Sequence, residues 1–196
     1  LLTVTGLFAG ENDLIKYVDP FIGTGGHGHT YPGAALPFGM VQLSPDTRLT
    51  GWDGCSGYHY SDNVIYGFSH THLSGTGVSD YGDVLFMPFT GKMTFKKGSA
   101  KDTASGYCSA FSHKSETASP GFYGVRLDDD GIGVQLTVTP RTGVHRYTFP
   151  VNKQKHIIVD LVHRDTVIDS GITVTGKNEI AGFRRSTAWA KDQHVY

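Results

Sequence analysis

Apolar and polar residues alternate most strictly over residues 132–139. Val134, Leu136 and Val138 fall on one side of an extended chain there, with Gln135, Thr137 and Thr139 on the other. A period of two is that of a strand with one buried face. Residues 122–127 form its partner across Asp128-Asp129-Asp130-Gly131, a hairpin turn with glycine at the left-handed position. Further strands are predicted over 144–149, 156–162, 172–175 and 179–186, with another beginning at Trp189. Ahead of Gly121 the pattern is weaker. Residues 40–44 read as a strand closed by Pro45, and 64–69 as another. Residues 83–89 form an apolar strand whose Pro88 places its end at an edge or bulge. Residues 14–22 make a short apolar segment stopped by Pro20, and 91–119 a polar hairpin and surface excursion. No segment carries a capped 3.6-residue period. Many short strands with frequent turn signals predict an all-β chain, an antiparallel β-sandwich.

Residues 51–83, GWDGCSGYHYSDNVIYGFSHTHLSGTGVSDYGD, do not fit that scheme. One Trp, four Tyr, one Phe, three His and four Asp stand among glycines and serines. Such a stretch is too polar and too interrupted for an ordinary core element. Glycine lets backbone approach a ligand closely, and aromatic faces with a polar edge suit a sugar ring. Trp52, Asp53, Tyr58, His59, His70, His72 and Asp80 are the residues on which a functional reading rests. The plain alternative is a long loop with a few buried, hydrogen-bonded side chains. The glycine-rich run at 23–28 lacks the GK[ST] and the strand-to-helix setting of a phosphate loop.

Composition narrows the classes. The 196 residues contain 17 Lys+Arg and 18 Asp+Glu, a formal charge of -1, with no basic stripe, so nucleic acid is not an expected partner. Charged residues are 18% of the chain, below the roughly 25% of typical domains. Glycine supplies 26 residues, about twice its usual share. Low charge with many glycines fits a turn-rich β protein and not a disordered one. Residues 1–10, LLTVTGLFAG, resemble the end of a secretory apolar region with small residues near a cleavage point. They are assigned as a signal-peptide remnant, and 11–196 as the sandwich domain. No apolar run approaches the roughly 20 residues that span a bilayer. The two cysteines, Cys55 and Cys108, make no disulfide framework and are expected as free thiols.

Three histidine groupings invite a metal: His27 with His29, His70 with His72, and His59 nearby. Positions i and i+2 of a strand share a face, so His70 and His72 are placed to ligate together, with Asp80 or Asp83 as a third ligand. No HExxH or CxxC spacing supports this. No G-x-S-x-G elbow marks a serine hydrolase. Asp46, Asp53, Asp62, Asp80 and Asp83 are candidates for the paired carboxylates of glycoside hydrolysis, although Asp is also the usual turn and cap residue.

The ordered strings YVDPFIGTGGHGHTYPGAALPFGMVQLSPDTR, GYHYSD and GFSHTHLSGTGVSDYGDVLFMP resemble the N-terminal domain of glycoside hydrolase family 92. The resemblance is strong over 17–88 and rests on strand pattern thereafter. It implies an exported, largely bacterial exo-α-mannosidase, periplasmic or extracellular, that hydrolyses terminal α-mannosides with inversion and depends on calcium. It implies a β-sandwich packed on a larger α/α-barrel domain that holds the acid, the base and most calcium ligands. No catalytic residue and no metal ligand is then expected in this chain, which ends at His194-Val195-Tyr196 as a domain cut short. The tryptophan motif is carried over as sugar-contacting. With the reading of the aromatic stretch, the expected sugar-binding residues are Trp52, Asp53, Tyr58, His72 and Asp80. Two other readings stay open: a stand-alone carbohydrate-binding sandwich, and a small histidine-metal enzyme with a barrel-like β fold.

Overall fold

A computed structural model describes residues 14–196. The signal-peptide assignment over 1–10 lies outside the described residues. Strands β1 (Ala34–Ala35), β2 (Gln42–Asp46), β3 (Val64–Ile65), β4 (Gly67–Ser69), β5 (Leu85–Thr90) and β6 (Ser109–Ala110) occupy the loop-rich first part. The second part is more regular: β7 (Thr117–Ser119), β8 (Phe122–Leu127), β9 (Ile132–Val138), β10 (Gly143–Thr148) and β11 (Lys155–Asp160). Strands β12 (Thr166–Gly176), β13 (Glu179–Thr187) and β14 (Gln193–Val195) complete it. Helix among the described residues is confined to short 3₁₀ turns, the first at Leu14–Tyr17.

The pairing is antiparallel throughout and the sheets stay open. A five-stranded sheet runs β1-β2-β4-β5-β11, and a four-stranded one β10-β9-β8-β7. β1 and β2 pack against β8 and β9, so the chain is a β-sandwich and not a barrel. β12-β13-β14 form a separate sheet, and β3 pairs with β6. Ile132, Val134, Leu136 and Val138 are all buried, facing Leu43, Phe68, Leu85 and Met87 from the opposite layer. Burying such a side chain stabilises by about 1.5–3 kcal/mol. The 128–131 turn is the expected hairpin, with Gly131 at φ +71°.

Several boundaries differ from expectation. Pro45 lies inside β2, opposite Phe68. β1 pairs only as far as Leu43, so the far edge at Pro45 is open and no ladder bond is lost. Pro88 is likewise interior to β5, opposite Ile157 of β11, with β4 reaching β5 only at Phe86. The single strand expected over 64–69 divides at Tyr66, and its halves enter different sheets. Residues 91–119 are more than a surface excursion. Tyr107, Cys108, Phe111 and Glu116 are buried, and the Tyr107 hydroxyl donates to Asp160 at 2.9 Å. Polar composition hid these anchors because they are spaced irregularly among lysines and serines. The 172–175 strand extends to the eleven residues of β12. Both cysteines are free and buried, and burial raises the Cys55 thiol and lifts Cys108 to about 11.

Candidate functional site

The glycine-rich loops following β2 and β4 meet on one side of the sandwich. Thr47 N and Arg48 N both donate to Gly57 O, at 2.7 and 3.0 Å, and fold the 51–57 turn back on β2. Gly57 has φ +101°, and a Cβ there would lie 2.4 Å from Asp46 Oδ1 and 2.5 Å from Arg164 Nη1. Only glycine satisfies both conditions.

Beneath that turn sits a buried polar cluster centred on Asp46, at the end of β2. Ser69 Oγ donates to Asp46 Oδ2; His72 Nε2 lies 3.2 Å and Arg164 Nη1 3.4 Å from Asp46 Oδ1. Burial acts to raise the Asp46 carboxyl, but His72 and His163 outweigh it and hold it well below the usual carboxylate range. Burial lowers His163 against the pull of Asp46, whose Oδ2 lies 3.5 Å from His163 Nε2. Arg164 also donates to Cys55 O at 2.5 Å, which links the cluster to the backbone carrying Trp52.

At the surface above, Trp52 remains 64% exposed. Its indole lies on the backbone of Gly77, where a Cβ would come within 2.1 Å of Cη2. The His29 ring meets it edge-on, with centroids 5.0 Å apart at 76°. Beside it Asp53 Oδ1 is 2.9 Å from His27 Nδ1, and that hydrogen bond lowers the Asp53 carboxyl. A depression of about 610 Å³ opens here, lined by residues including Arg48, Thr50, Trp52, Asp53, Asp62 and Tyr66. Arg48 donates to both oxygens of Asp62, at 2.6 and 3.2 Å, which presents a fixed charged pair on its wall.

Of the expected sugar-binding residues, the structure brings Trp52 and Asp53 together at this surface. It does not bring the other three there. Tyr58 is fully buried, and its hydroxyl donates to the Glu116 carboxylate at 3.0 and 3.1 Å. His72 belongs to the Asp46 cluster, and its Nδ1 lies 2.7 Å from Gln42 O. Asp80 accepts from the backbone N–H groups of Trp189 and Ala190, at 3.3 and 2.6 Å. Asp62, one of the candidate carboxylates, is paired with Arg48, whereas Arg48 and Arg164 were not among the expected site residues. Arg48 closes the SPDTR string, where nothing local marks it as a site residue. Arg164 has no local signal, since its partners lie more than a hundred residues away.

The shared histidine face is corrected. β4 ends at Ser69, so His70 and His72 do not alternate along a strand. His70 Nδ1 faces Val84 O at 2.8 Å and its Nε2 faces His145 Nε2 at 3.1 Å, whereas His72 turns to Asp46. His59 lies between Ser61 Oγ and Gly26 O. Among the described residues no three His, Cys, Asp or Glu side chains converge as metal ligands. The nearby carboxylates are committed internally: Asp62 to Arg48, Asp80 to backbone N–H groups, Asp83 to Arg184 and Gln193.

The chain matches the glycosyl hydrolase family 92 N-terminal domain over residues 17–196. It is similar to a family GH92 alpha-mannosidase from Bacteroides thetaiotaomicron, solved in complex with mannoimidazole. Identity is 40% and the TM-score 0.88, over 92% of this chain and 24% of that one. A second structure, a GH92 inverting mannosidase from the same organism, gives 31% identity and a TM-score of 0.72, over 89% and 23%. An uncharacterized secreted glycosidase of Arthroderma benhamiae is 32% identical over 164 residues, 77% of this chain and 20% of that protein. The chain spans about a quarter of the solved structures it matches. No helix among the described residues is long and apolar enough to cross a membrane.

Proposed function

Because this chain belongs to glycosyl hydrolase family 92, as its N-terminal domain, we propose that it forms a sugar-contacting wall of an exported exo-α-mannosidase. The parent enzyme hydrolyses terminal α-mannosides of glycans with inversion. Its acid and base reside in a C-terminal α/α-barrel domain outside this chain, against which residues 11–196 pack as a sandwich. Residues 1–10 are the remnant of an export signal. The names of the similar proteins support this reading: alpha-mannosidase, inverting mannosidase and secreted glycosidase.

The observation that carries the proposal is the exposed indole of Trp52, seated on Gly77 beside a depression with a fixed Arg48–Asp62 pair. An apolar ring face covers the C–H side of a mannose, while guanidinium and carboxylate suit its hydroxyls. Trp52 and Asp53 are the contacts; Tyr58, His72 and Asp80 hold the loops behind them. Among the described residues no three His, Cys, Asp or Glu side chains converge as metal ligands. Calcium in the parent enzyme is assigned mainly to the barrel domain.

Trp52→Ala in the full-length enzyme tests the reading. Losing the stacked apolar area lowers kcat/KM about tenfold, one decade for each 1.36 kcal/mol. The thermal midpoint of the same preparation stays near that of the parent. Unchanged kcat/KM in a folded variant shows Trp52 to be scaffold.

A further inference from the structure

We propose that the outer face of the four-stranded sheet is a second binding site, for a sugar that carries an anionic substituent. This face turns away from the sandwich core, because Tyr123, Val125, Ile132, Val134 and Leu136 point inward from the same strands. Cross-strand register places Gly124 opposite Gln135, and Arg126 opposite Gly133. Arg146 and Thr148 of β10 continue those two rows. Together these strands floor a depression of about 450 Å³.

Two features separate this face from an ordinary solvated sheet. The first is its floor. Glycine inside a strand weakens it and often marks a place where something approaches the backbone. Gly124 and Gly133 lie on adjacent strands, two residue pairs apart in the ladder and on the same face. Gly124 is flanked by Thr117 Oγ1 and by the Phe122 ring, whose edge atoms lie 3.4 Å from where a Cβ would stand, with Thr117 Oγ1 at 3.0 Å. A flat aromatic surface beside glycine backbone accepts a sugar ring.

The second is charge. Arg48, Arg164, Arg184 and Arg185 all form ion pairs. Arg126 and Arg146 form none among the described residues, although both flank the floor. Two of the three acids in the adjoining turn are directed elsewhere, Asp129 to Ala110 N and Asp130 to Thr90 N, while Asp128 is exposed. The chain as a whole carries -1, so the local excess of guanidinium is not a reflection of general basicity. Planar guanidinium groups bind carboxylate, phosphate or sulfate in two-pronged fashion. Gln135, directly opposite Arg146 across the ladder, adds an amide for ring hydroxyls.

Isothermal titration calorimetry of the full-length protein tests this site with four probes. They are tetragalacturonate, its full methyl ester, galactose 6-phosphate and inorganic phosphate. One or both anionic sugars bind, and the carboxylate and phosphate arms identify the favoured substituent. Arg146→Gln and Arg126→Gln each weaken that binding about tenfold, and Phe122→Leu weakens it severalfold. The methyl ester and inorganic phosphate bind at least about tenfold more weakly, since each lacks one half of the ligand. Neither arginine variant changes mannoside hydrolysis, and Trp52→Ala does not change binding of the acidic probes. Arg146→Lys and Arg126→Lys retain charge at the same exposed positions and serve as folded comparators. The proposal falls if neither acidic sugar titrates, if both glutamine variants bind like the parent, or if the ester binds as tightly as the acid.

Discussion

The four-stranded sheet and the loop side of this domain are held by different forces. In β8 and β9 a buried apolar residue comes at every second position, and the pairing partner is the next strand in the chain. On the loop side Asp46, His72, His163, Asp83 and Arg184 are buried, as is the side chain of Arg164. Their partners come from distant parts of the sequence. Arg184 shows this best: it is 1% exposed, yet its donors reach Asp83, Ser186 Oγ, Leu161 O, His163 O and Asp165. Apolar packing tolerates loss by partial collapse, whereas a buried charge stripped of its partner does not.

Arg184→Ala is therefore expected to have the largest effect. It leaves Asp83 and Asp165 buried without their counter-charge, at a cost of about 3–5 kcal/mol. Urea denaturation of the variant measures it, and a loss below about 1 kcal/mol would place the pair with ordinary surface bridges. Leu136→Ala probes the other side. It removes a fully buried side chain and costs about 2–4 kcal/mol, depending on how far the layers close on the cavity. If the two variants rank in reverse, packing and not buried charge is the stricter constraint in this fold.

A third prediction concerns pH, at a seam between the two sides. Tyr147 OH lies 2.7 Å from His145 Nδ1, and His145 Nε2 lies 3.1 Å from His70 Nε2. This row joins β10 to the end of β4. Burial lowers His145 to about 3, with the neighbouring His70 adding to the shift, and burial also lowers His70. The unfolded chain binds these protons near pH 6.5, so it holds more protons than the native state below that value. The resulting stability is complete above pH 6.5 and is lost as pH falls towards 3. His145 alone contributes a slope of up to about 1.4 kcal/mol per pH unit in that window. His145→Phe should flatten the thermal midpoint between pH 6 and 4. An unchanged slope would assign acid sensitivity to other groups.

The same contrast explains what the sequence revealed. Residues 132–139 announced their strand, face and turn because the pattern is local and repeats. The loop side announced only that it was unusual. Trp52 and Asp53 were identified from aromatic and glycine composition, and they do share a surface. Tyr58, His72 and Asp80 have the same composition but point inward. Residue type records the need for a hydrogen-bond partner, not whether that partner is a ligand or Glu116. His70 and His72 misled for a related reason: two-residue spacing is informative only where a strand continues, and β4 ends one residue earlier. Pro45 and Pro88 misled because their open edges depend on where other strands stop.

Asp83 is the hub of bonds that reach far along the chain, to Arg184 and to Gln193, the latter 110 residues away. Asp80 waits equally long for Trp189 and Ala190. These bonds have a consequence for biogenesis. A ribosome adding about 5–20 residues per second needs about 5–20 s to travel from one end of such a bond to the other. During that interval β8 and β9 can already pair, while Asp83 and Asp80 are exposed to solvent and to proteases. The loop after β4, on whose Gly77 the Trp52 indole rests, thus gains its last side-chain partners only once residues 184–193 have been synthesised.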